Sequence, residues 1–139
     1  MKASILYRIA AALLVLYAAG HTFGFRRPSQ REDARAVVSL MKSVRLDVQG
    51  SERSFWDFYV GFGLFCTAFL LLSAVLAWQL GGLSGEALRQ VPSAATWGLA
   101  VCFAVTTVLT WRYFFIAPGV FSTLVTICLV AAAWLAGRP

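Results

Sequence analysis

The chain has 139 residues, of which 60% are hydrophobic and 13% charged, and its mean hydropathy is +0.75. A soluble domain carries about 25% charged residues, and a chain this short has too much exterior to hide so much apolar surface. A soluble globule is therefore excluded, and so is disorder, which needs low hydrophobicity. The net charge of +6 reads as attraction to anionic lipid headgroups and as a topology signal, not as nucleic-acid binding.

Crossing a bilayer takes about 20 helical residues. The first apolar segment, about Ile5 to Phe25, meets that length. Lys2, Arg8 and the small residues Ala18-Ala19-Gly20 also fit a secretory signal peptide. Arg8 interrupts the apolar run, however, so a membrane helix is the better reading.

The linker from Arg26 to Ser54 is the one long polar stretch. Ser29-x-x-Glu32, just after Pro28, is a capping-box pattern. Ala34, Val37, Val38, Met41 and Val44 follow on one helical face, flanked by Arg31, Arg35, Lys42 and Arg45. The pattern predicts an amphipathic helix over about 30–45, lying in the membrane interface with its cations near lipid phosphates. The competing reading is a solvated helix at the end of the bundle.

The second apolar segment runs from about Phe55 to Leu80 and stops at Gly81-Gly82. Pro92 and Ser93 open the third, about Ala94 to Ile116. Pro118-Gly119 reads as a tight break, after which the fourth segment continues to Ala136. Lipid offers backbone groups no water to bond, so spanning segments are helices or closed barrels. None of these runs shows the period-2 alternation of barrel strands. The expected fold is all-α, a four-helix transmembrane bundle with an interfacial helix between helices one and two, forming one domain over residues 1–139. Cys66, Cys102 and Cys128 all lie in apolar runs, and an odd number without a CxxC argues against disulfide or zinc frameworks.

Topology follows from the cations. With four crossings, Arg26, Arg27, Arg31, Arg35, Lys42, Arg45, Arg53 and Arg112 share one side, and Lys2, Arg8, Arg89 and Arg138 the other. The positive-inside rule puts the richer side in the cytoplasm and both termini outside.

His21, Asp57, Tyr59, Arg112 and Tyr113 all fall near the linker side of their segments, and are expected to converge on one cavity at the cytoplasmic end of the bundle. Ionisable residues at membrane depth are costly and by default mark a functional site. His21 and Asp57 are the candidate catalytic residues, His21 as general acid or base because an unperturbed imidazole titrates near neutrality, and Asp57 to orient His21 or to pair with Arg112. Arg112 can hold an anionic headgroup by a bidentate contact, with Tyr59, Tyr113 and Trp56 as further ligand contacts. Each has a plainer reading. Asp57 fits a cap on Ser54, Arg112 can snorkel, the aromatics can form an interfacial belt, and His21 can be a packing residue.

A lone histidine without a carboxylate cluster disfavours a metal enzyme, and a two-histidine haem site would need a second chain. There is no phosphate-binding glycine loop. The first helix lacks the carboxylate of small multidrug exporters, and no polar stripe suggests a channel. No cofactor is specified.

The stretches GHTFGF (Gly20 to Phe25), SVRLDVQGSERSFWDFYVGFGLF (Ser43 to Phe65) and WRYFFIAPGVFS (Trp111 to Ser122) resemble a family of small bacterial four-helix membrane proteins without assigned activity. The resemblance spans most of the chain. It implies the same fold and a bacterial inner membrane, and it adds no function. Sterol-isomerase-like proteins share the four-helix architecture, but their motifs have no counterpart here, so that likeness is one of fold alone. Three expectations follow: a protein binding a lipid or other amphipath from the cytoplasmic leaflet, with or without acid–base chemistry; an accessory subunit of a larger membrane complex; or a small oligomeric transporter. Membrane lipids are the expected partners, with a second copy or another membrane protein left open.

Overall fold

A computed structural model describes residues 2–27 and 30–138 of the chain. Among these are six helices and one two-stranded hairpin: α1 (Ala3–Arg26), α2 (Glu32–Ser43), β1 (Arg45–Val48), β2 (Ser51–Ser54), α3 (Phe55–Gly82), α4 (Gly85–Gln90), α5 (Ser93–Tyr113) and α6 (Ile116–Ala136). Helices α1, α3, α5 and α6 are long and apolar enough to cross a membrane. These four are the expected spans, and they mark an integral membrane protein.

The chain divides into two compact units. The larger comprises Met1–Ala18 and Phe69–Pro139, and the smaller Ala19–Ala68. Among the described residues, every buried hydrophobic side chain belongs to the larger unit. Its core mixes a few large groups, such as Leu14, Leu70, Phe103 and Leu129, with many alanines, including Ala10, Ala77, Ala100 and Ala132. Lipid tails are as apolar as leucine, so membrane helices associate by close packing, which small residues permit. The rings of Phe69 and Phe103 stack at 5.5 Å, and those of Tyr17 and Phe121 at 5.6 Å. The outward apolar side chains, among them Leu16, Leu72, Val108 and Ile127, are exposed. On helices of this length they are the surface a bilayer covers.

Helices α5 and α6 pair antiparallel along a ladder of hydroxyls. Thr110 bonds Ser122 at 2.7 Å, Thr107 bonds Thr126 at 2.9 Å, and Trp111 Nε1 donates to Thr123 at 3.0 Å. The break between them is not at Pro118-Gly119 but at the extended residues Phe114 and Phe115. Pro118 sits in the first turn of α6. Amides there lack an intrahelical acceptor anyway, so a proline loses nothing. Gly119 has its own function: a Cβ there would lie 2.9 Å from the Trp111 ring.

Helix α4, not expected from the sequence, is a short helix capped by Ser84, whose side chain accepts from the Ala87 amide at 3.2 Å. Leu88 anchors it in the larger unit.

In the smaller unit α2 begins at Glu32 and ends at Ser43. The expected Ser29 cap and Pro28 lie outside the described residues. Ala34, Val38 and Met41 are half-buried, whereas Val37 and Leu40 are exposed, so the apolar face is divided. Val44 leaves the helix in an extended conformation. The chain then forms a hairpin that the all-helical expectation lacks. Arg45 pairs with Ser54, and Val48 with Ser51. Gln49 (φ 53°) and Gly50 (φ 78°) make the two-residue turn. Positive φ at both positions matches the twist of the flanking strands. The Gly50 amide donates to Asp47 Oδ1 at 3.0 Å, closing the turn.

Candidate functional site

His21 lies in the last turns of α1 and belongs to the smaller unit. Its Nε2 is 3.0 Å from the carbonyl oxygen of Gly63 on α3. A carbonyl only accepts, so Nε2 carries the proton and donates. The neutral ring therefore keeps its free lone pair on Nδ1. The same carbonyl accepts from the Thr67 hydroxyl at 3.1 Å, and Thr67 in turn meets the Thr22 hydroxyl at 2.9 Å. An imidazole, two hydroxyls and one backbone carbonyl thus form a connected polar patch between α1 and α3. Lipid supplies no competing water, so such groups hold helices together.

Aromatic rings continue from this patch. His21 and Phe25 have centroids 5.2 Å apart, Phe25 and Tyr59 6.1 Å edge-to-face, and Tyr59 and Trp56 5.3 Å stacked. The Lys42 ammonium of α2 sits 4.9 Å from the Trp56 centroid, within cation–π range. The result is a ladder running His21–Phe25–Tyr59–Trp56–Lys42. It has apolar rungs, an imidazole at one end and a cation at the other. Gly63 makes room for it, because a Cβ there would fall 2.9 Å from the Phe25 ring. A Cβ at Gly61 would meet nothing within 4 Å, nor would one at Gly20 or Gly24.

Asp57 is engaged locally. Its Oδ2 accepts from the Ser54 amide at 2.8 Å and the Ser54 hydroxyl at 2.8 Å, while the Asp57 amide donates to Ser54 Oγ at 3.1 Å. This is a reciprocal capping box on α3, and its charge also suits the helix N-terminus. The carboxylate expected to orient His21 thus bonds to Ser54, and the imidazole proton it would have received goes to Gly63.

Arg112 and Tyr113 end α5 and belong to the larger unit, not to the unit that holds His21, Trp56, Asp57 and Tyr59. Both are exposed. Of the six residues singled out from the sequence, His21, Trp56 and Tyr59 lie on the ring ladder, and Asp57 caps the helix that carries two of them. Thr22, Phe25 and Thr67 went unrecognised, and Lys42 stood only among the cations flanking the helical face of the linker. GHTFGF places His21 and Phe25 at i and i+4, the spacing that puts two side chains on one helix face. That signal was available. Which carbonyl His21 would reach was not.

No family model matches the chain, and neither a curated protein nor a solved structure matches it.

Proposed function

We propose that the chain binds a lipid or other amphipathic molecule at the His21–Phe25–Tyr59–Trp56 ladder. The carrying observation is the ladder itself: apolar ring faces between a hydrogen-bonding imidazole and the Lys42 cation. An amphipath needs that combination of apolar contact and polar ends. In this reading the four long helices form a bundle in a bacterial inner membrane, with α2 and its cations on the cytoplasmic surface and both termini outside, as the cation distribution favours. Val37 and Leu40 are exposed on α2, which suits a helix resting on acyl chains. Arg112 and Tyr113 act as headgroup-level anchors.

The site binds and does not catalyse in this reading, because Asp57 is engaged with Ser54 and no carboxylate among the described residues bonds His21. Mass spectrometry of small molecules retained by the purified chain tests the proposal. An amphipath should co-purify with the wild type and be depleted in Tyr59→Ala and Trp56→Ala. An unchanged retained set in both variants would refute it, and co-purifying membrane proteins would then favour the accessory-subunit reading.

A further inference from the structure

A second site lies in the larger unit, where α1 begins and α3 ends. Arg8 is in the second turn of α1, inside an otherwise apolar segment. Its Nε donates to the Gly81 carbonyl at 3.3 Å, and its guanidinium carbon lies 3.9 Å from the Trp78 ring centroid. Gly81 makes this approach possible: a Cβ there would lie 3.0 Å from the Ser4 carbonyl oxygen and 3.0 Å from Arg8 Cγ. The contact therefore depends on a bare backbone at that position.

The arrangement fixes the guanidinium without neutralising it. Among the described residues no carboxylate pairs with Arg8, and its two terminal nitrogens donate to no protein acceptor. The last carbonyls of α3 carry only the partial negative charge of a helix end. A guanidinium has five N–H donors in a fixed fork that fits a phosphate bidentately. Here one donor is used, and the guanidinium lies over an indole.

Beside it runs an open groove lined by Ser4, Ile5, Arg8, Ile9, Ala12 and Gly81. Ile5, Ile9 and Ala12 share one face of α1 and are exposed. They offer about 10 Å of apolar track at 1.5 Å per residue. A fixed unpaired cation at a helix end, continued by an apolar track along the helix, is complementary to one class of molecule. We infer that Arg8 and the adjoining groove bind an anionic phospholipid, with the phosphate on the guanidinium fork and an acyl chain along Ile5, Ile9 and Ala12. This site is separate from the ring ladder and does not rest on it.

The test uses the full chain in neutral detergent, with native mass spectrometry at equal concentrations of phosphatidylglycerol and phosphatidylcholine. Both lipids carry a phosphodiester, but the trimethylammonium of phosphatidylcholine cancels its net charge and is repelled by the guanidinium, so the wild type should prefer phosphatidylglycerol by about tenfold. Arg8→Gln should abolish that preference, whereas Arg89→Gln, at an exposed position of α4, should leave it intact. Ala12→Trp keeps Arg8 and fills the groove at an exposed position, so it should lose phosphatidylglycerol while circular dichroism shows unchanged helix content. That variant decides the matter if Arg8→Gln does not fold. Equal binding of the two lipids by the wild type, an undiminished preference in Arg8→Gln, or full binding in Ala12→Trp would each overturn the assignment. So would displacement of the lipid by millimolar inorganic phosphate, which would mark a simple anion site.

Discussion

His21 donates from Nε2 to the carbonyl oxygen of Gly63 across 3.0 Å, which joins the end of α1 to α3 by a bond that fixes the histidine tautomer. The free nitrogen is Nδ1, and any ligand or proton arriving at this ring meets that atom. Nitrogen NMR of the labelled imidazole should show a protonated Nε2 and an unprotonated Nδ1 in the neutral form. The reverse pattern would contradict the assigned bond. His21→Phe keeps the ring contact with Phe25 but removes the donor, so it should weaken the junction by about 0.5–1.5 kcal/mol, the net value of one hydrogen bond.

Two glycines on α3 should respond oppositely to the same change. Ala is favoured over Gly in a helix interior by about 0.5–1 kcal/mol. At Gly61 nothing lies within 4 Å of the added methyl group, so Gly61→Ala should be stabilising. At Gly63 the methyl group would meet the Phe25 ring at 2.9 Å. Gly63→Ala should displace that ring from His21 and Tyr59, visible as changed ring-current shifts at His21. Thermal melts of both variants in detergent, with those shifts, test the contrast.

The hydroxyl ladder of α5 and α6 should carry modest energy. Thr110 is 6% exposed and Ser122 fully buried, and they bond at 2.7 Å. Hydrogen bonds between membrane helices average about 0.6 kcal/mol in double-mutant cycles, with a maximum near 1.7. A cycle of Thr110→Val and Ser122→Ala should give a coupling in that range. A coupling indistinguishable from zero would mean the local bonds to Thr107 and Gly119 carbonyls already satisfy both hydroxyls.

Much of this architecture was legible from the sequence because its strongest signal is physical and long-range along the chain. A run of about 20 apolar residues has one low-energy form in lipid, so all four spans could be read. Gly81-Gly82 and Pro92-Ser93 also fell where the helices stop and start. What escaped is short. SERS has no apolar alternation to mark a strand, and Gln-Gly is a weaker hairpin signal than Asn-Gly. Val44 fits the helical face of α2 by spacing, yet the backbone is already extended there. Pro118 looks like a breaker in a linear reading, because only the fold shows it to be inside a first turn. His21 and Asp57 both fall near the linker side of their segments, yet Asp57 bonds Ser54 and not the imidazole. Depth says which residues share a membrane level, while the nearest competing donor, here Ser54, decides the partner.

Asp33 gives a pH dependence confined to α2. The Arg31 guanidinium, bonded to it at 3.1 Å, and the Ala34 amide at 2.8 Å hold its carboxyl below the usual 3.8. A carboxylate whose folded pKa is depressed stabilises the fold above its unfolded pKa, and that support is lost as the pH falls through the folded value. The start of α2 should therefore be unaffected by acidification down to about pH 4, and loosen only below it. Amide exchange at Ala34 and its neighbours, followed from pH 6 to pH 2.5, tests this. Asp33→Asn should show faster exchange at pH 6 and a flatter profile. Loosening that sets in near pH 5 would contradict the lowered pKa.

Tyr7 provides the last test, and here removing a polar atom should help. Its side chain is fully buried in the larger unit, and its hydroxyl has no hydrogen-bond partner among the described residues. A buried donor left unsatisfied costs about 1–3 kcal/mol, whereas replacing it by an apolar group of the same shape is neutral or stabilising. Tyr7→Phe deletes one oxygen and keeps the ring. It should raise the melting temperature of the purified chain, while Tyr7→Ala should lower it, because losing a buried ring leaves a cavity costing about 3–5 kcal/mol. If Tyr7→Phe is instead destabilising by more than about 1 kcal/mol, the hydroxyl has found a partner. An ordered water is the natural one, since buried waters bond polar groups that lack protein partners. Water would then reach the interior of the larger unit beside the turn that carries Arg8.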